Sequence, residues 1–331
     1  MKTPRFLIHS LTAFLISPPL FADPYTWDGG SLVDSNLATA ANWNPDGAPP
    51  SDLATNLAFD GTARLTPNFS VPCSANSLTF KNNAAVNPFT FSGAELTLGT
   101  AGIVNNDADP QTFGNPVSLG TASTTFNAAN GALIFNHTVA LGTGTLNVTG
   151  SEPTMLAGAV TGTGLINKTG AGLLTLPNGT LSADVTIAEG WVQLNGAGTT
   201  VFDSNSVVAV NAGVFYAESN VTLDGGLLTR NGFGALYLLP GKTLTIQNGG
   251  DAIITGGFTL LAKAAAINVT GTGSTFTVAG GCEFRKDNTL NVTAGGSFSI
   301  NGGGTSLGGG TSRAMRPSSS MGRAAVSRRR A

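Results

Sequence analysis

The chain has 331 residues but only 16 Lys+Arg and 18 Asp+Glu, so charged residues make up 10% where a soluble domain averages roughly 25%. With 41% hydrophobic residues and a net charge of −2, it lacks the low hydrophobicity and high charge of a disordered chain. Its basic residues are concentrated at the two ends: without Lys2, Arg5 and the six arginines from Arg313 to Arg330, residues 23–312 hold eight bases against 18 acids, a net of −10. Such a body repels phosphate, which argues against nucleic acid as a partner.

Residues 1–22 read as a cleavable export signal. Lys2 and Arg5 precede a short apolar run, Pro18 and Pro19 break it, and Leu20-Phe21-Ala22 offers a cleavage site. The run is too short and too interrupted for a membrane span, and Asp23 rather than a lipidated cysteine follows the cut. A secreted or cell-surface location is therefore expected. The mature chain is expected to have no transmembrane segment.

Residues 23–95 contain Trp27, Trp43, many of the prolines and the acids Asp28, Asp34, Asp46, Asp52 and Asp60. This composition suggests an N-terminal cap or β region, because stacked repeats need a distinct end unit. From residue 96 to 307, short runs alternate apolar and polar residues with the period of a half-buried strand. Examples are Thr145–Thr149, Val221–Leu223, Thr243–Ile246, Ile267–Thr270, Thr275–Val278 and Leu290–Thr293. Gly and Asn-Gly punctuate them, as at Asn178-Gly179, Asn195-Gly196 and Asn231-Gly232. Ala262–Ala266 is the best helical candidate, and it is too short to persuade.

Residues 142–150 reappear in modified form 20 residues later at 162–170, with a weaker copy beginning at Gly271. One such unit cannot bury its apolar face alone, so neighbours must stack. The fold class expected is all-β: a solenoid of stacked strands with 20–25 residues per coil. Residues 308–331 lose the pattern and form a low-complexity basic tail without acids, expected to be disordered. The abrupt change resembles an out-of-frame ending.

Residues 161–177 read Thr-Gly-Thr-Gly-Leu-Ile-Asn-Lys-Thr-Gly-Ala-Gly-Leu-Leu-Thr-Leu-Pro. This run, with Val185 to Leu194 after it, resembles the autotransporter-associated β-strand repeat, best matched over 160–195. The segments Tyr25–Gly30 and Ala41–Pro45 are similar to the opening of secreted proteins that carry such repeats. The resemblance implies a right-handed parallel β-helix of the passenger type, exported and displayed or released. No run of barrel strands follows the repeats, so the expectation is that either the gene is truncated or another system takes the chain across an outer membrane.

Chemistry is sparsely represented. His137 is the one histidine beyond the leader, in a strand-like setting that favours an outward side chain over a catalytic role. Cys73 and Cys282 are expected to remain unpaired, because coils that far apart exceed disulfide reach. Asp107 and Asp109 form the one tight acidic pair. They suit weak calcium binding, but a solvated turn before Pro110 fits better. Gly249-Gly250-Asp251 has the look of a calcium nonapeptide without its repetition. Asp184, Glu189 and Glu218 cannot be set opposite one another from sequence, as sugar hydrolysis would require. Trp27, Trp43, Trp191 and Tyr25 suit sugar stacking if exposed, although core or cap packing is the commoner fate.

No catalytic, cofactor-binding or metal-binding residue is nominated, and no cofactor is expected. The function expected is that of a secreted or surface-displayed structural or adhesive repeat protein. Surface glycans or other cell-surface components are its candidate partners. The alternative is an extracellular carbohydrate-active β-helix enzyme or glycan-binding module.

Overall fold

The computed structural model describes residues 25–301 and 305–307, apart from 84–85, 232–233, 256–257, 261–263, 281 and 285–286. The proposed leader, residues 1–22, and the tail, 308–331, lie outside the described residues. The chain forms an all-β parallel solenoid of about ten turns. Its strands gather mainly into sheets of 17, nine and six members. The described residues contain no α-helix, only a single 3₁₀ turn at Ala40–Asn42.

Each regular turn contributes three strands to a triangular section. Asp184–Ile187 lies on the first face, Trp191–Leu194 on the second and Thr199–Asp203 on the third. The next turn repeats the order with Val207–Val210, Val214–Ala217 and Asn220–Asp224. On the first face Val148, Lys168, Ile187, Val210, Arg230, Ile254 and Val278 stand side by side in register. Their numbering gives turn lengths of 19 to 24 residues, set by how long each corner is.

Period-two alternation decides what lies inside. In Thr145–Gly150, Leu146 and Val148 are buried, while Thr145, Asn147 and Thr149 face outward. Parallel stacking then repeats each inward residue along the axis and builds one continuous core. Phenylalanines dominate its early turns. Phe91, Phe113 and Phe135 form a column with ring centroids 4.9 Å apart at each step and interplanar angles of 5° and 11°.

The parallel ladder begins well before residue 96. Tyr25–Trp27 pairs with Asn56–Phe59, which pairs with Cys73–Phe80, which pairs with Leu96–Asn105. At the end of the ladder Trp43–Asn44 lies antiparallel against Tyr25–Trp27, bringing Trp27 opposite Trp43 with ring centroids 5.2 Å apart. Trp43 Nε1 donates to the Leu37 carbonyl at 2.8 Å, and buried Asn42 ties the intervening loop by donating to the carbonyls of Asp34 and Asn36.

Corners demand glycine where successive coils nearly touch. Gly170 lies beside Gly150, and a Cβ added to it would sit 2.4 Å from the Gly150 carbonyl oxygen. One turn on, Gly190 has φ +70° and its added Cβ would lie 2.2 Å from the Gly170 carbonyl oxygen. Both conditions exclude a side chain.

Candidate functional site

The structure disperses the carboxylates that hydrolysis would need together. Asp184 opens a first-face strand and accepts from Val207 N at 2.8 Å, at the corner between third and first faces. Glu189 sits in the bend between first and second faces, and Glu218 in the bend between second and third. The three occupy three different corners.

Asp107 and Asp109 belong to a self-bonded turn. Asp107 N donates to Asn105 Oδ1 at 3.1 Å, Asp109 N to Asp107 Oδ1 at 2.8 Å, and Asn87 N to Asp109 Oδ2 at 2.7 Å. Asn105 Nδ2 closes the turn on the Asp109 carbonyl at 2.9 Å. Asp107 thus satisfies a backbone donor of its own turn, and Asp109 one on the preceding coil. Among the described residues, no three His, Cys, Asp or Glu side chains gather as metal ligands. Asp251, of the Gly249-Gly250-Asp251 run, accepts from the Thr275 hydroxyl on the next turn.

His137 is exposed, but it lies in the bend between Leu133–Phe135 and Val139–Gly142 rather than within a strand. Its Nδ1 accepts from Thr138 N at 2.8 Å. Cys73 is a free, half-buried thiol whose pKa is raised by burial; the Cys282 side chain lies outside the described residues. No helix among the described residues is long and apolar enough to cross a membrane.

The aromatic candidates divide sharply. Trp27 and Trp43 are fully buried, and Tyr25 is half-buried against the same core. Trp191 is 51% exposed. It has company that the sequence did not announce: Tyr216 and Tyr237, also on the outside of the second face. Alternation sends Val192 and Leu194 inward from one strand and Phe215 and Ala217 from the next, leaving Trp191 and Tyr216 outside. Tyr216 is in register with Tyr237 on one side and Gln193 on the other. Trp191 lies diagonally across from Tyr216. Ring centroids are 6.2 Å apart for Trp191–Tyr216 and again for Tyr216–Tyr237.

The corners bordering this strip carry both signs of charge. On the second-to-third corner, Lys242 Nζ donates to the Gly196 carbonyl at 3.0 Å, and a Cβ on Gly196 would sit 3.5 Å from a Glu218 carboxylate oxygen. On the first-to-second corner are Glu189 and Arg230, with Arg230 Nε donating to the Gly234 carbonyl at 2.7 Å. Beneath the strip, Phe215, Leu228, Leu236 and Leu244 help enclose an apolar cavity of about 20 Å³, no larger than one water needs.

No protein-family model, curated protein or solved structure matches this chain.

Proposed function

We propose that this chain is a secreted or surface-displayed structural and adhesive repeat protein, of the passenger type suggested by its likeness to the autotransporter-associated β-strand repeat. The observation that carries this reading is the repeated ladders of amides and hydroxyls laid over a stacked core. Asn167 Nδ2 donates to Asn147 Oδ1 at 2.9 Å, Asn231 to Asn211 at 2.6 Å and Asn291 to Asn268 at 2.7 Å, each one coil apart. Thr293–Thr270 and Ser299–Thr277 hydroxyl pairs extend the pattern at 3.1 Å.

Such ladders serve an extended scaffold. They satisfy outward polar groups across neighbouring coils and present the same chemistry along the axis. The export-type leader supports a location outside the cell.

Expression of the full chain with its own leader in a bacterial host tests this reading. The expected result is protein in the medium or accessible to protease on intact cells, together with increased attachment of those cells to glycan-coated surfaces. Retention in the cytoplasm, or export without any gain in attachment, would overturn it.

A further inference from the structure

We propose that Trp191, Tyr216 and Tyr237 form a stacking platform for an uncharged glycan chain, lying across successive coils of the solenoid. This rests on the adhesive reading above and names the class of ligand that the adhesion would engage.

The platform is a local departure from the rest of the coat. Along the same outward column of the second face the earlier turns carry Thr112, Ile134, Met155, Thr175 and Gln193. Aromatic rings then appear on three neighbouring strands, two of them in direct register. Elsewhere among the described residues most large rings are interior: Trp27, Trp43, Phe59, Phe80, Phe91, Phe113, Phe126 and Phe135 are all buried. Trp191 at 51% and Tyr237 at 42% exposure contribute little to that core. Single exposed apolar residues need no explanation, whereas a contiguous group marks a contact surface.

The chemistry of the group selects the partner. Indole and phenol present an apolar face and a polar tip, so they suit a ligand that is itself apolar on one face and hydroxylated at its edge. A pyranose ring has that character, with axial C–H bonds above and hydroxyls around. Half-exposed Gln193, in register with both tyrosines, supplies an amide donor and acceptor beside the rings. Glu218 and Lys242 on one border, and Glu189 and Arg230 on the other, offer hydrogen-bonding groups whose charges balance. That balance favours a neutral polymer over an anionic polysaccharide or a nucleic acid strand, either of which calls for a basic groove. A linear polymer of stacked rings also matches a linear array of aromatic side chains separated by 6.2 Å steps.

The test uses the mature chain and a panel of soluble neutral polysaccharides (β-glucan, xylan, mannan and dextran) with alginate and polygalacturonate as anionic controls. Calorimetry and affinity electrophoresis read binding. At least one neutral polymer is expected to bind, with affinity rising with oligomer length until all three rings are spanned. Trp191→Ala and Tyr237→Ala should each weaken it by about tenfold or more, Trp191→Phe should restore part of it, and Met155→Ala, exposed in the same column but farther from the rings, should leave it unchanged. Circular dichroism and thermal melts should coincide for all variants, because these side chains lie outside the core. Binding to no neutral polymer, binding only to the anionic ones, or binding indifferent to the ring substitutions would each overturn the platform. So would self-association of the chain that the same substitutions abolish, since the strip would then serve a second copy. Export and adhesion that persist in Trp191→Ala would remove the platform while leaving the adhesive reading intact.

Discussion

Lys168 Nζ donates to the carbonyl of Gly170, from inside the solenoid. The side chain is 1% exposed and stands in a column between Val148 and Ile187, where every neighbouring turn places an aliphatic residue. Three coils further on, Arg230 occupies the same column and donates in the same way to Gly234, two turns past Ile187. Lys168 fills core space with its methylenes, whereas Arg230 is only half-buried; each donates from its head group to a carbonyl of the adjoining corner.

Burial pushes the Lys168 pKa down to about 8, and Glu189 opposes the shift by favouring the ammonium form. In the unfolded chain the group keeps the ordinary lysine value of 10.5. Between these two values the unfolded state holds more protons than the folded one, so stability rises with pH across that window. Below pH 8 the unfavourable burial of charge is present in full. The difference in stability between wild type and Lys168→Met is expected to move in favour of wild type from pH 7 to pH 10, and Glu189→Gln should shift the onset of that rise to lower pH. Denaturant melts at intervals of pH check this; parallel curves for wild type and Lys168→Met would contradict it.

Much of the architecture is legible in the sequence because its signals are local. Alternation in Leu146-Asn147-Val148 marks a strand and its inner face, glycines mark corners, and the 20-residue echo from 142–150 to 162–170 marks stacking. Lys168 shows where such reading falters. Its alternation with Ile166 places it inside, yet a lysine in a Gly/Thr-rich run is ordinarily taken as solvent-facing. The aromatic strip was harder to see. Trp191 and Tyr216 are 25 positions apart and Tyr216 and Tyr237 are 21, so no fixed period joins them; register follows from unequal corner lengths. The scattering of Asp184, Glu189 and Glu218 over three corners likewise requires knowing where each turn bends. The start of the ladder at Tyr25, ahead of residue 96, was obscured by the Trp/Pro-rich composition of its first turns.

Gly190 permits a sharper test of coil contact than any core residue. Gly190→Ala brings a Cβ against the Gly170 carbonyl and the Lys168 ammonium, in a backbone conformation with φ +70°. The left-handed strain alone costs roughly 1 kcal/mol, and separation of two coils adds to it. The expected result is a loss of at least about 2 kcal/mol, with faster amide exchange concentrated in residues 165–194. Gly241→Ala, at a closely similar φ of +73° but with nothing near its Cβ, isolates the conformational part and should cost less.

The outward amides are expected to act in pairs. Asn167 donates to Asn147, which donates in turn to the Ser123 hydroxyl at 3.0 Å. These groups are half-buried, so each single change to alanine should cost about 0.5–1.5 kcal/mol. Once Asn147 is gone, losing Asn167 should matter less. A double-mutant cycle on Asn147→Ala and Asn167→Ala checks for coupling of about 0.5 kcal/mol or more; strict additivity would mean that the ladder is decorative.

Phe113→Ala probes how far damage travels along the axis. The ring lies between Phe91 and Phe135 at 4.9 Å on each side and is fully buried, so its removal takes away two stacked contacts and leaves a cavity. A buried Phe→Ala change costs about 3–5 kcal/mol. In an ordinary globular domain that loss would lower the stability of the whole. Here each coil touches only its neighbours, so the loss should fall on the turns containing Phe91, Phe113 and Phe135. Hydrogen exchange should rise across residues 89–135 while the strands from Val207 onward keep their protection. A uniform rise from one end of the chain to the other would show instead that the solenoid unfolds as a single cooperative unit, with interfaces between coils stronger than the coils themselves.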